Sequence, residues 1–144
     1  MSFPVDPKQF WENKILSWEE GRYHASTKDK SLLERMADRS SNALRFRQII
    51  TKKLLEPHLT GKHIVELGCG SGLLAGDLIA SGAASYKGYD ISENAIRNAT
   101  KSAQEFGLGD LVTFEVCDVA SLPHLEANIV FSLGGRMYHG FKCL

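Results

Sequence analysis

Glu66, Gly68, Gly70 and Gly72 stand at alternate positions, beginning inside the mostly apolar run His63-Ile64-Val65-Glu66-Leu67 and continuing just past its end. A short apolar run of this kind is what a strand buried in a parallel sheet looks like. Glycines at its carboxyl end let the backbone turn tightly and leave room where a Cβ would collide with a ligand. A helix that starts after such a turn presents free N–H groups and the positive end of its dipole. Strand, glycine-rich turn and helix together make a nucleotide site. An acid, Asp90, ends the next strand-like run, 18 residues after Gly72 (90 − 72). A carboxylate there can accept hydrogen bonds from both hydroxyls of a ribose. A second acid, Asp118, follows the third such run. Two cofactor classes compete for the turn. Gly70-x-Gly72-x-x-Ala75 fits a dinucleotide fingerprint with alanine in the third place. The pattern of one glutamate and three glycines at alternate positions fixes four positions instead of three.

The elements that must hold these residues are readable from period and punctuation. Residues 8–20 place Phe10 or Trp11, Ile15 and Trp18 at helical spacing, and Gly21 is a stop. Residues 22–30 are polar and read as a loop, with a short helix over 31–38. A longer helix from Ser41 to Leu55 is expected to bury Leu44, Ile49 or Ile50, and Leu54, and Pro57 marks its end. The period then changes. Residues 63–67 form the first strand and 73–81 a helix with Gly82 just beyond it. Residues 85–89 form the second strand, and Ser92 caps a helix that carries Ala95, Ile96, Ala99, Ala103 and Phe106 and stops at Gly107. Residues 111–117 alternate, with Val112, Phe114 and Val116 on one face, and 127–133 give a fourth strand, apolar on both faces. Strand–helix–strand–helix–strand is the pattern of a parallel sheet. Three sections follow: an N-terminal helical cap over 1–60, an α/β core over 61–133, and an irregular tail over 134–144.

The ordered set Glu66, Gly68, Gly70, Gly72, Asp90 and Asp118 resembles the cofactor-binding half of class I S-adenosylmethionine-dependent methyltransferases, well over residues 61–133 and loosely over 8–60. The resemblance implies an α/β, Rossmann-like parallel sheet, here of about four strands in the order 3-2-1-4, under an N-terminal helical cap. It implies S-adenosylmethionine as cofactor, held by Glu66, Gly68, Cys69, Gly70, Gly72, Asp90, Ile91, Asp118, Val119 and Ser132. In the family the acid matching Asp118 contacts the adenine amino group and an apolar neighbour packs on the ring; a dinucleotide site leaves Asp118 unexplained. The activity implied is methyl transfer, to a small-molecule acceptor, with no general base identifiable. The alternatives are a non-catalytic module of the same fold and, ranked last, a nicotinamide-dependent oxidoreductase. The family domain has seven strands in the order 3-2-1-4-5-7-6. Only the first four are recognisable, so the chain is expected to transfer little by itself and to self-associate or dock with a partner chain through its fourth strand.

Composition sets outer limits. The chain has 144 residues, 43% hydrophobic and 24% charged, ordinary for one globular domain. No apolar run reaches the roughly 18 residues of a membrane span, and residues 1–7 lack the pattern of a signal peptide, so a cytoplasmic location is expected. Cys69, Cys117 and Cys143 have neither redox nor metal spacing, and the five histidines form no metal pair. Net charge is zero but unevenly spread: residues 1–62 carry 12 basic and 8 acidic groups, residues 63–144 carry 5 and 9. Arg45, Arg47, Lys52 and Lys53 share one helix; a solvated face is the preferred reading, ahead of a nucleic-acid contact that nothing else in the sequence supports.

Overall fold

The computed structural model describes residues 8, 9, 12 and 45–133. The backbone is helical at 8, 9 and 12 and again over 45–55, here α1. A 3-10 turn at Glu56–His58 leads into β1 (His63–Leu67), α2 (Ala75–Ala80), β2 (Ser85–Asp90), α3 (Glu93–Glu105), β3 (Val112–Val116), a 3-10 turn at Val119–Ser121, and β4 (Ile129–Phe131). The four strands form one parallel sheet in the order β3-β2-β1-β4. This is the order that the resemblance implied, and β1 lies between β2 and β4.

Pairing register decides which side chains meet. Ile64 stands opposite Tyr86, and Glu66 opposite Gly88 on one side and Phe131 on the other. Tyr86 and Gly88 in turn oppose Val112 and Phe114. One face of the sheet therefore carries Ile64, Glu66, Tyr86, Val112 and Phe114. The buried cluster on this face includes Ile64, Tyr86 and Val112 together with Leu59, Leu74, Leu78 and Ala103. α3 lies close to the sheet because its buried stripe, Ala95, Ile96, Ala99 and Ala103, is mostly methyl-sized. The Ser92 side chain caps it, accepting from Ala95 N–H at 3.1 Å.

Several expectations are corrected. α2 is shorter than 73–81 because residues 71–74 are spent in the turn. Leu74 still reaches the core. Phe106 is 78% exposed: α3 ends at Glu105, and the turn at Gly107 brings Leu108 onto the core in its place. On α1, Ile49, Ile50 and Leu54 are exposed, and Leu55 packs on the core; Leu44 lies outside the described residues. Val116 is exposed because β3 is a sheet edge. β4 is three residues long instead of seven, and Val130 is 47% exposed. The helices expected over 8–20 and 31–38 and the tail over 134–144 fall almost wholly outside the described residues. No described helix is long and apolar enough to cross a membrane.

Candidate cofactor site

β1 delivers the glycine-rich turn to the carboxyl edge of the sheet, and β2 fixes it there. Gly68 N–H and Cys69 N–H both donate to the Tyr89 carbonyl, at 2.7 and 3.0 Å. Gly70 N–H donates to Asp90 Oδ2 at 2.8 Å, and Gly72 N–H to the Cys69 carbonyl at 3.0 Å. Four donors of the turn are thus used within the protein. What the turn offers outward is space. Gly70 has φ +55° and Gly68 φ +71°, and a Cβ built on either would meet nothing within 4 Å among the described residues. Gly72 is different. Its φ is +68°, and a Cβ there would lie 2.5 Å from Phe114 Cε1 and 3.3 Å from Ala99 Cβ. Gly72 therefore packs the turn onto β3 and α3, while Gly68 and Gly70 leave an open concavity.

Asp90 joins the turn to the next helix. Its Oδ2 takes Gly70 N–H and its Oδ1 takes Ser92 N–H at 2.9 Å. An ionised carboxylate has about four acceptor positions, so capacity remains on both oxygens. Ile91 beside it is half-buried. Asp118 N-caps the 3-10 turn after β3, its Oδ1 accepting from Ala120 N–H at 2.9 Å, and it is exposed, with Val119 half-buried next to it. Ser132 is exposed just past β4. Cys69 turns inward: its side chain is buried, Sγ donates to the Gly70 carbonyl at 3.6 Å, and burial pushes the thiol well above its usual range. A Cβ on Gly88 would lie 2.7 Å from that sulfur and 2.8 Å from Phe114 Cδ1, so the absent side chain of β2 is what accommodates both. The structure thus gathers the turn and Asp90 into one hydrogen-bonded unit and sets Asp118, Val119 and Ser132 at the ends of β3 and β4.

Two contacts escaped the reading of the sequence. Glu66 is 3% exposed, and the Tyr86 hydroxyl donates to its Oε2. Burial raises the Glu66 carboxyl to about 7; the Tyr86 hydrogen bond works against that rise, and the Asp90 charge adds to it. The Tyr86 ring meets Phe114 edge-on, centroids 5.8 Å apart. The alternation of β2 is the clue that could have found this pair, since it places Tyr86 on the same face as Glu66. The second contact comes from the N-terminal section. Glu12 accepts from Glu93 N–H and Asn94 N–H at the amino end of α3, and Lys8 pairs with Glu93 at 2.5 Å. A carboxylate at that position is favoured by the helix dipole. These residues follow Asp90 directly, so the N-terminal section reaches the rim of the crevice.

The electrostatics select among nucleotide-like ligands. The ion pairs of the described residues, such as Lys52–Asp77 and Lys87–Glu115, involve none of Glu66, Asp90 and Asp118. A pyrophosphate needs free N–H groups or cations; in this turn the N–H groups of Gly68, Cys69, Gly70 and Gly72 are taken, and carboxylates flank it. A nucleoside carrying positive charge fits the open space at Gly68 and Gly70, the remaining acceptor positions of Asp90 and the acidic surround. No cluster of three or more metal-ligating side chains exists among the described residues.

A parallel sheet in the order 3-2-1-4, with a glycine turn and acids at its carboxyl edge, defines a Rossmann-like nucleoside-cofactor domain. The particular family follows from comparison: residues 58–134, more than half of the chain, match the family described as a methyltransferase domain, and the chain belongs to it. Among relatives, the ribosomal protein L11 methyltransferase of Sodalis glossinidius is 42% identical over 72 residues, 50% of this chain and 24% of that protein. Among solved structures, a magnesium protoporphyrin IX methyltransferase from Synechocystis PCC 6803, with bound SAH, shares the fold with a TM-score of 0.62 at 23% identity, over 88% of this chain and 58% of that one. An S-adenosylmethionine dependent methyltransferase from Mesorhizobium loti is 26% identical with a TM-score of 0.51, over 60% of this chain and 38% of that one. The chain therefore spans less than a quarter of the L11 methyltransferase and under two thirds of these solved structures.

Proposed function

We propose that this chain binds S-adenosylmethionine across the carboxyl ends of its strands and contributes the cofactor half of a methyl-transfer site. One observation carries the reading. Gly68, Cys69 and Gly70 direct their N–H groups inward, to Tyr89 and Asp90, and among the described residues the turn meets the crevice with open space beside carboxylates. This favours a nucleoside that carries cationic groups and disfavours a dinucleotide.

In this reading Gly68 and Gly70 supply the room for the ligand, and Asp90 accepts from the ribose hydroxyls with its remaining acceptor positions. Asp118 accepts from the adenine amino group, and Ile91 and Val119 pack on the ring. Glu66 and the Cys69 backbone border the amino-acid end, and Ser132 borders it from β4. When bound, the cofactor supplies a methyl group already activated by its positively charged sulfur. The chain's own task is to bind and orient it and to keep water out. Among the described residues no side chain is placed as a general base. We take the acceptor to be a small molecule, because the rim offers carboxylates where a nucleic acid would need basic groups. Calorimetric titration with S-adenosylmethionine, S-adenosylhomocysteine and NAD tests the reading. Binding of the first two without NAD supports it; binding of NAD alone overturns it.

A further inference from the structure

Tyr86 lies one step below the crevice, on β2 opposite Ile64. Its hydroxyl donates to Glu66 Oε2 across the β1–β2 pair. Among the described residues only Oε2 of this carboxyl has a hydrogen-bond partner, the Tyr86 hydroxyl. Oε1 keeps its acceptor capacity, and Asp90 at the end of β2 lies near enough for its charge to act on this nearly buried carboxyl. Among the described residues the neighbours of Glu66 come from the two flanking strands and the turn. β2 contributes Tyr86, Gly88 and, at its end, Asp90; β4 contributes Phe131; the turn contributes the thiol of Cys69. No Lys, Arg or His is paired with it among the described residues. A buried carboxylate with one neutral donor and no cation lacks a positive partner. S-adenosylmethionine carries a sulfonium beside its ammonium and carboxylate and is positive overall; the demethylated product keeps the ammonium and carboxylate and is neutral overall.

We propose that Tyr86 is a positioning residue for the cofactor: its hydroxyl holds one oxygen of Glu66 so that the other faces the cationic end of the ligand, and the Tyr86–Glu66 pair makes cofactor affinity depend on Glu66 ionisation. This deepens the proposed function and rests on it. The ionised pair attracts the positive cofactor more than the neutral product, and the protonated pair loses that preference. Burial places the Glu66 titration at about 7 in the free protein. Affinity should therefore rise with pH through neutrality, and the preference for cofactor over product should rise with it.

The test measures dissociation constants of S-adenosylmethionine and S-adenosylhomocysteine between pH 6 and 8.5 for the wild-type chain, Tyr86→Phe and Glu66→Gln. A 13C titration of the Glu66 carboxyl in the ligand-free protein accompanies it. Tyr86→Phe keeps the ring against Phe114 and removes only the donor. We expect the wild type to bind S-adenosylmethionine about tenfold more weakly at pH 6 than at pH 8, the change for one group titrating near 7, and the product to change less. Tyr86→Phe should move both the affinity profile and the carboxyl titration to higher pH and recover affinity by pH 8.5, and Glu66→Gln should flatten the profile. A purely structural Tyr86 would lower affinity equally at every pH. A Tyr86→Phe profile superimposable on the wild type, or parallel to it, overturns the role of Tyr86 alone. Failure of the wild type to bind either ligand at any pH overturns the cofactor reading itself.

Discussion

Gly70 and Gly72 are two residues apart in one turn, yet the structure assigns them opposite costs when a methyl group is added. Both have positive φ, +55° and +68°, so alanine at either strains the backbone by roughly 1–2 kcal/mol. At Gly70 nothing more is lost, because a Cβ meets no atom of the described residues within 4 Å. At Gly72 the Cβ would stand 2.5 Å from two ring carbons of Phe114, and overpacking of that kind costs about 1–3 kcal/mol more. Gly70→Ala should therefore lower stability by about 1–2 kcal/mol and Gly72→Ala by about 2–5 kcal/mol. Urea unfolding reads the difference: with slopes of roughly 1–3 kcal/mol per molar, the two midpoints should separate by about 1 M. Ligand binding should show the reverse order. The methyl at Gly70 stands in the proposed ligand space, so Gly70→Ala should lose most affinity for S-adenosylmethionine, and Gly70→Val all of it. Gly72→Ala should bind in proportion to the folded fraction. A double variant, Gly72→Ala with Phe114→Leu, should recover part of the lost stability. Equal midpoints for the two alanine variants would refute the assignment of Gly72 to packing. Normal affinity in Gly70→Ala would remove the cradle from where it is placed.

Three further outcomes are expected. Glu66 titrates at about 7 in the folded chain against an ordinary 4.5, so the folded state holds this proton more tightly than the unfolded one; stability present below pH 4.5 is lost as pH rises through 7, by about 3 kcal/mol. Urea midpoints at pH 5 and 8 should show that fall in the wild type and not in Glu66→Gln; identical falls in both would assign it elsewhere. Asp90→Ala should weaken cofactor binding by two hydrogen bonds to a charged group and Asp118→Ala by one, at about 1.5–3 kcal/mol each, and calorimetry giving the opposite order would exchange their roles. β4 pairs only with β1 among the described residues, and we expect its other edge to associate between molecules. Sedimentation velocity should then show concentration-dependent association that Val130→Lys suppresses, and a wild type that stays monomeric at every concentration would dismiss the idea.

Much of the architecture was legible in the sequence because period and punctuation agreed. Ser92 before a stripe of alanines and Gly107 after it delimit α3, and the apolar runs at 63–67 and 85–89 announce β1 and β2. The Glu–Gly–Gly–Gly spacing identified the turn itself. What period cannot say is which of two adjacent apolar residues faces inward: α1 buries Leu55 and leaves Leu54 exposed. Nor can it say where a stripe ends, and Phe106 is in phase with the buried face of α3 yet lies past its last turn. The Tyr86–Glu66 contact joins residues 20 apart through strand register, which no single segment contains. The three glycines look equivalent in sequence. Only the positions of Phe114 and Ala99, brought in from β3 and α3, separate Gly72 from the other two.

The anchoring of the turn to the end of β2 has a thermodynamic consequence. Three successive amides, those of Gly68, Cys69 and Gly70, close onto Tyr89 and Asp90, so the crevice exists only while β1 and β2 are paired. To open as a loop it must break all three of these hydrogen bonds at the sheet edge, and the paired strands already order it for a ligand. Occupancy and cooperative unfolding become one equilibrium: a ligand at a hundred times its dissociation constant raises the unfolding free energy by about 2.7 kcal/mol. That gain should appear as slowed hydrogen exchange at those three amides and, equally, at the amides along the β1–β2 ladder.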